Sequence, residues 1–161
     1  MGSRVVLMVA LLCVVLPALI DAGRPMSRPF RLQGRVYCDT CRAGFETSAT
    51  TYIPRAKVRV ECKDKEQKLV YSKEGTTDAT GTYHILVNED HGEETCDVML
   101  VSSPMGDCMT ADPGRERARV VLTSHNGIVS NTRFANAMGF MKDDIMSGCT
   151  TLLQSLMEEE D

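Results

Sequence analysis

The residues of this sequence best suited to chemistry are two cysteines separated by two positions, Cys38 and Cys41. A Cys-x-x-Cys pair is typical of redox sites, of zinc sites and of structural disulfides. A redox pair needs its first cysteine at a helix N-terminus, whereas here an alternating stretch leads in and Asp39 opposes a thiolate. A structural zinc site needs a second close pair of cysteines or histidines, which the sequence lacks. We therefore interpret both cysteines as disulfide partners.

The sequence contains three histidines in three separate segments: His84, His91 and His125. A lone histidine is more typical of a surface or loop position than of a metal ligand. His91 lies in an acidic stretch that contains Glu89, Asp90, Glu93 and Glu94. This stretch is a weak calcium candidate, but it lacks the alternating Asp/Asn register and the glycine of an EF-hand loop. We predict a solvated acidic loop and expect neither a metal site nor a cofactor.

No local catalytic motif occurs in the sequence. A Gly-x-Ser-x-Gly elbow, a glycine-rich phosphate-binding loop and a His-Glu-x-x-His helix are all missing. Because catalytic triads assemble from residues that are distant in sequence, an enzyme stays open as the weakest of the function classes. We expect a non-enzymatic protein without catalytic residues.

Alternating apolar and polar residues predict the strands that must position these groups. In the stretch that leads into Cys38, one face carries Leu32, Gly34, Val36 and Cys38, and the other carries Arg31, Gln33, Arg35 and Tyr37. The same period of two predicts strands at residues 30–38, 56–62, 68–72, 83–87, 96–100 and 117–123, with a short seventh at 132–135. Apolar residues at helical spacing predict one helix at 150–158. We predict an all-β fold, a small antiparallel β-barrel or sandwich of six to seven strands with a short C-terminal helix.

The outward positions of three predicted strands are basic: Arg31, Arg35, Lys57, Arg59, Arg117 and Arg119. If these strands neighbour one another, the six side chains form a cationic surface for an anionic partner. The alternative is an ordinary solvated strand face, whose charges deter aggregation.

The first 22 residues have the features of a secretory signal peptide. Arg4 precedes an almost unbroken apolar run over residues 5–16, and Ala22 provides a small residue at a plausible cleavage position. A run of about a dozen apolar residues is too short to span a bilayer as a stable helix. We expect a protein secreted to the extracellular space without a membrane span, with residues 23–161 forming a single domain.

The charge of the chain argues against nucleic acid as a partner. The formal net charge is −4, and Arg4 and Asp21 are the charged residues of the predicted signal peptide, so its removal leaves that charge unchanged. The last four residues are all acidic and account for the whole of it. The body of the domain is therefore electrically balanced, which does not fit a general nucleic-acid binder.

Six cysteines follow the predicted signal peptide: Cys38, Cys41, Cys62, Cys96, Cys108 and Cys149. An even number in a small exported domain predicts three disulfides, although the sequence alone leaves many pairings open. Cys62 and Cys96 each lie on the apolar face of a predicted strand, where a buried bridge is geometrically possible.

The stretch QGRVYCDTCR at residues 33–42 resembles the signature of the pollen Ole e I-like family, which comprises the olive-pollen major allergen and its relatives. The resemblance extends to AKVRVEC at 56–62, TDATGTY at 77–83, Ser103-Pro104 and the order of the cysteines. It implies a compact antiparallel β-barrel with three disulfides. The implied pairs are Cys38 with Cys108, Cys41 with Cys149, and Cys62 with Cys96.

The resemblance implies a secreted interaction or signalling module of pollen-tube development, a receptor-like extracellular partner and a potential allergen. The alternative is a barrel that binds acidic cell-wall polysaccharide or a small ligand. Inward Val, Ile and Leu side chains, with the small Ala56 and Ala118, favour a filled core and therefore the first interpretation. Several relatives carry an N-glycan, but no asparagine here begins an Asn-x-Ser/Thr motif, so we expect no N-glycosylation. We expect a monomer.

Overall fold

The computed structural model describes residues 28–158, so the predicted signal peptide lies outside the described residues. These residues form ten strands and one helix. The strands are β1 Phe30–Asp39, β2 Thr51–Tyr52, β3 Lys57–Lys63, β4 Leu69–Thr76, β5 Thr82–Val87, β6 Thr95–Ser102, β7 Thr110–Ala111, β8 Arg117–Val120, β9 Thr132–Phe134 and β10 Met138–Met141, and the helix is α1 Cys149–Glu158. The all-β prediction and its short C-terminal helix are confirmed.

The first sheet is organised around β1, the longest strand. The N-terminal half of β1 pairs with β5 in antiparallel and with β9 in parallel orientation. Its C-terminal half pairs with β2 in antiparallel and with β10 in parallel orientation, and β10 also pairs with β7. We predicted antiparallel strands, but this sheet is mixed, because β9 and β10 reach β1 after long connections and pair with it in parallel.

The second sheet contains β4, β3, β6 and β8 in that order, and all of its pairs are antiparallel. The predicted alternation is clearest on β3, where the side chains of Val58, Val60 and Cys62 are buried while their neighbours are at least partly exposed. The strand predicted at residues 68–72 is longer than expected, since β4 continues to Thr76. On β3 the period of two correctly identified the inward face.

One contiguous apolar cluster joins the two sheets. It takes Leu32 and Val36 from β1, Ile85 from β5, Val60 from β3 and Val98 from β6, and each of these side chains is at most 2% exposed. Side chains from both sheets thus fill the interior, as expected of a small β domain.

Gly34, at the middle of β1, marks the closest approach between strands in this core. A Cβ atom at this position would lie 2.2 Å from Tyr83 Oη and 2.6 Å from Tyr83 Cζ, since the tyrosine ring lies directly over the glycine. Both residues are on the inward face and pair across β1 and β5. The glycine of the QGRVYC stretch is therefore required for packing.

Three disulfides hold the fold, and their pairs are those that the family resemblance implies: Cys38–Cys108, Cys41–Cys149 and Cys62–Cys96. The first two attach the end of β1 to the loop before β7 and to the start of α1. The third joins directly opposite residues of β3 and β6. Two bridges therefore serve the first sheet across long sequence separations of 70 and 108 residues, and one serves the second sheet.

Arg133 on β9 is a buried arginine that fixes the loop between β8 and β9. Its guanidinium donates hydrogen bonds to the carbonyl oxygens of Val121, Thr123 and Ser130 and lies 4.9 Å from the ring centre of Phe30. Carbonyl oxygens thus solvate a charge that is only 5% exposed. No local pattern in the sequence predicts this role.

Within the described part of the chain, no helix is long and apolar enough to cross a membrane.

Candidate functional site

The outward side of β9, β1 and β5 carries a group of side chains that the core does not use. We call this group the β1 face: Arg31, Gln33, Arg35, His84, Leu86 and Phe134. The register brings them together in rows, because Gln33 lies beside both His84 and Phe134, and Arg31 lies beside Leu86. Phe134 is 73% exposed and Leu86 is 49% exposed. The β1 face therefore combines cations with accessible apolar and aromatic groups.

The two arginines of the β1 face are free of ion pairs among residues 28–158. The Arg35 guanidinium instead lies 3.3 Å from the ring centre of Tyr52 on β2, as a cation–π contact. The Tyr52 hydroxyl donates a hydrogen bond of 2.8 Å to Glu46, and this bond raises the pKa of Tyr52. The Tyr52 ring thus holds the Arg35 guanidinium in position without neutralising its positive charge.

The outer face of the second sheet differs, because two of its arginines pair with carboxylates on the same sheet. Arg59 lies 2.7 Å from Glu74 and 3.6 Å from Glu61. Arg119 lies 2.7 Å from Asp97 on the adjacent strand. The hydrogen bond from Arg59 lowers the pKa of the Glu74 carboxyl. Cross-strand pairs of this kind leave little net field on the surface.

The prediction of one six-residue cationic surface is wrong. Arg31 and Arg35 lie on β1 in the first sheet, whereas Lys57, Arg59, Arg117 and Arg119 lie on β3 and β8 in the second. β1 pairs with neither β3 nor β8, and β6 separates those two strands. Arg59 and Arg119 are moreover neutralised by carboxylates. Arg31 and Arg35 remain together on one strand, and that strand pairs with β9, which carries the exposed Phe134.

The acidic loop uses its charge for local structure. The Asp90 carboxylate accepts hydrogen bonds from the backbone N–H and the hydroxyl of Ser124 and from the backbone N–H of Gly92. Burial raises the pKa of Asp90, but the bonds from Ser124 and Gly92 outweigh it and lower that pKa to about 2. Asp90 therefore ties the loop between β5 and β6 to the segment after β8.

Asp90, Ser124 and His125 resemble a catalytic triad only in composition. The Ser124 hydroxyl donates to Asp90 Oδ2 at 2.8 Å, and His125 Nδ1 lies 3.6 Å from the same oxygen. A triad requires the imidazole between the hydroxyl and the carboxylate, so that it can accept the hydroxyl proton. This geometry gives the serine no base.

His91 lies in a loop, which is one of the two positions that we expected, but its side chain is only 5% exposed and is therefore not solvated. The ring packs 4.7 Å from the ring of Tyr71 on β4, centre to centre. Burial of a loop histidine depends on this tertiary contact, for which the local sequence carries no signal.

Comparisons with known proteins agree with this fold. The family model described as "Pollen protein Ole e 1 like" matches residues 28–157. The chain belongs to this family. Pollen-specific protein C13 of Zea mays is 47% identical to this Ole e 1-like chain over 151 residues, which cover 93% of the chain and 88% of the maize protein. Protein DOWNSTREAM OF FLC of Arabidopsis thaliana is 42% identical over 164 aligned positions, which cover 100% and 98% of the two chains.

A solved structure is similar as well. The crystal structure of the major plantain pollen allergen Pla l 1 matches the Ole e 1-like chain with a TM-score of 0.67 and 28% identity, covering 75% of this chain and 99% of the allergen chain. The family and the β-rich, disulfide-bonded fold are thereby confirmed together.

Proposed function

We propose that this Ole e 1-like chain is an exported, non-enzymatic interaction module of pollen that binds an extracellular, receptor-like protein through the β1 face. Family membership supports the pollen setting, since the similar maize and plantain proteins are named as a pollen-specific protein and a pollen allergen. The signal-peptide features of residues 1–22 and the three disulfides support export.

The observation that carries this proposal is the position of two unpaired arginines beside an exposed aromatic side chain. Arg59 and Arg119 are neutralised on the second sheet, whereas Arg31 and Arg35 are left without ion pairs among the described residues, next to Phe134. Arginine and aromatic side chains are the residue types most enriched at protein interfaces. Unpaired cations beside an exposed ring therefore favour a protein partner with acidic groups.

The β1 face is also rigid, which favours binding. Its central strand is hydrogen-bonded on both sides, and the end of that strand is linked through Cys38 and Cys41 to two disulfides. A surface held in one conformation loses less entropy on association.

A second candidate function is binding of acidic cell-wall polysaccharide, which the same two arginines support. A uniform polyanion would contact mainly the cations, so its binding should fall steeply with salt and depend little on Phe134. The small-ligand alternative is disfavoured by the interior, because core side chains such as Leu32, Val60 and Val98 are fully buried and fill the space between the sheets.

Capture from the pollen surroundings tests the two candidates. The oxidised chain, residues 23–161, is immobilised beside its Phe134→Ala variant, and extracellular extracts of pollen tubes and pistils are passed over both. The proposal expects one acidic ectodomain on the wild-type chain and about tenfold weaker binding of that purified ectodomain by Phe134→Ala, as for an interface anchor. Leu69→Ala, which removes a 48% exposed apolar side chain from β4, is the matched control and should bind normally.

Equal retention of the wild type and Phe134→Ala on de-esterified pectin would support the polysaccharide candidate and reject the protein partner.

Export is tested separately by N-terminal sequencing of the secreted chain, whose first residue should be Gly23. By kinship we also propose that the chain is an allergen, and IgE binding in sera of pollen-allergic donors checks this directly.

A further inference from the structure

The disulfide of the second sheet lies against a buried histidine. Cys62 and Cys96 face each other on β3 and β6, and His91 lies in the loop between β5 and β6. The two sulfur atoms and one ring nitrogen of His91 all lie within 4.8 Å of one another. The three residues are 0%, 2% and 5% exposed.

The two ring nitrogens of His91 have different surroundings. Its Nδ1 lies 3.6 Å from Glu94 Oε2, and its backbone N–H donates to the carbonyl oxygen of Leu122. Its Nε2 is buried and has no hydrogen-bond partner within residues 28–158. A buried polar atom without a partner is unfavourable and therefore unusual. A carboxylate on one ring nitrogen commonly orients a histidine that binds metal through the other.

We propose that the thiol form of the Cys62–Cys96 pair, together with His91, binds one Zn²⁺ ion. Zn²⁺ prefers thiolate sulfur and imidazole nitrogen, and tetrahedral coordination separates such ligand atoms by about 3.5–3.8 Å. The two sulfur atoms must therefore move apart once the bridge has opened, whereas the imidazole nitrogen is already within 4.8 Å of both. Two thiolates and a neutral imidazole compensate the charge of Zn²⁺ completely, which suits a buried site. The fourth position is left to a water molecule.

The site and the disulfide exclude each other because they use the same two sulfur atoms. The thiol form exists before the bridge closes, and it returns when a dithiol reduces the bridge. In that step the S–S bond breaks, the dithiol supplies two electrons and two protons, and it becomes a disulfide itself. Zn²⁺ then displaces the two thiol protons as it binds. Zinc would therefore hold β3 and β6 together in the form that lacks this bridge.

Zinc uptake by the reduced chain tests this proposal. Residues 23–161 are reduced with a phosphine, which leaves no competing dithiol, and titrated with Zn²⁺ against a chromophoric chelator. We expect one Zn²⁺ per reduced chain, none in the oxidised chain, and protection of Cys62 and Cys96 from alkylation while the other four cysteines react. Co²⁺ in place of Zn²⁺ should give thiolate-to-metal charge-transfer bands and the intense visible absorption of a tetrahedral site.

Two histidine variants make the test specific. His91→Ala should weaken Zn²⁺ binding by about a hundredfold, and Glu94→Gln by about tenfold. His125→Ala, which removes an exposed histidine after β8, should leave the affinity unchanged. Circular dichroism of each oxidised variant checks that the fold is retained. Equal affinity of the wild type and His91→Ala, protection of a different cysteine pair, or no zinc uptake would each overturn the proposal.

Discussion

The two sheets of this domain pack against the same core but differ in strand pairing and in the charges of their outer faces. The second sheet is built from antiparallel strands, and its outer charges form pairs such as Arg59 with Glu74. The first sheet gathers strands that are distant in sequence around β1, includes parallel pairs, and leaves Arg31 and Phe134 of its outer face without such partners among the described residues. This difference is the basis of our proposal that the first sheet carries the recognition surface, whereas the outer face of the second sheet has a mainly structural role.

The disulfides follow the same division. The first sheet depends on the long-range bridges Cys38–Cys108 and Cys41–Cys149, whereas Cys62–Cys96 reinforces two strands that already pair along their length. Strands joined through long connections gain more from a covalent link, because each link removes more freedom from the unfolded chain.

Removal of bridges should show the largest difference between the sheets. The double variant Cys41→Ala, Cys149→Ala opens a separation of 108 residues and should lower the free energy of unfolding by about 5 kcal/mol. The double variant Cys62→Ala, Cys96→Ala opens a separation of 34 residues and should lower the free energy of unfolding by about 4 kcal/mol. Chemical denaturation of both oxidised variants measures the two values. A larger loss for the second variant would contradict this ranking of the sheets.

A methyl group at the centre of β1 tests the packing beneath the β1 face. Gly34→Ala should lower the free energy of unfolding by about 1–3 kcal/mol, because the new Cβ overlaps the Tyr83 ring. Gly106→Ala is the matched control, since a Cβ there meets no other atom within 4 Å, and it should be neutral or slightly stabilising. Equal denaturation midpoints for the two variants would show that a methyl group fits between Gly34 and the Tyr83 ring, which would contradict the close contact in the structure.

Asp90 links the ends of the two sheets, and its effect depends on pH. Its folded pKa of about 2 lies below the ordinary value of about 3.9, so its contribution to stability is complete above pH 4 and is lost as pH falls towards 2. Asp90→Asn should therefore be less stable than the wild type at pH 6, and the difference should shrink between about pH 4 and pH 2. Glu89→Gln removes a neighbouring charge as a control, and its stability should stay parallel to the wild type over that range.

The paired face of the second sheet should show the smallest effect. Glu74→Gln breaks the pair with Arg59, but both groups are solvent-accessible, so the thermal midpoint should fall only slightly and the loss should vanish at high salt. Arg31→Gln, which breaks no ion pair among the described residues, should not lower the midpoint at any salt concentration. A large drop in the thermal midpoint of Glu74→Gln that does not depend on salt would mean that this ion pair also contributes substantially to stability.

The second sheet could be predicted well from the sequence, and the first only in part. The inward side chains of β3 were identified because one face of that strand is buried and the other is solvated, which produces the period of two. β10 was missed because Met138, Gly139 and Phe140 are all buried, so no alternation exists to detect. Alternation places Tyr37 on the outward face of β1, opposite Cys38. Its ring is nevertheless buried, because it lies against Gly139 of β10. β2 and β7, with two residues each, are too short for any periodic signal.

The candidate site was predicted through its residue types but not through its arrangement. Alternation correctly placed Arg31 and Arg35 outward, yet which strands share a sheet depends on pairing between distant segments, and so the six cations were grouped wrongly. Phe134 became part of the site only through the parallel pairing of β9 with β1. The burial of His91 likewise depends on a contact with Tyr71 from another strand.

The most direct test of the recognition role is the affinity of the captured ectodomain for two charge-reversed variants of the oxidised chain. Arg31→Glu, Arg35→Glu reverses two charges on the β1 face, and Lys57→Glu, Arg117→Glu reverses two on the second sheet that also lack ion pairs among the described residues. We predict that the first variant binds at least about tenfold more weakly than the wild type, which corresponds to about 1.4 kcal/mol, and that the second binds as the wild type does. Equal affinities for the two variants would contradict the assignment of recognition to the β1 face.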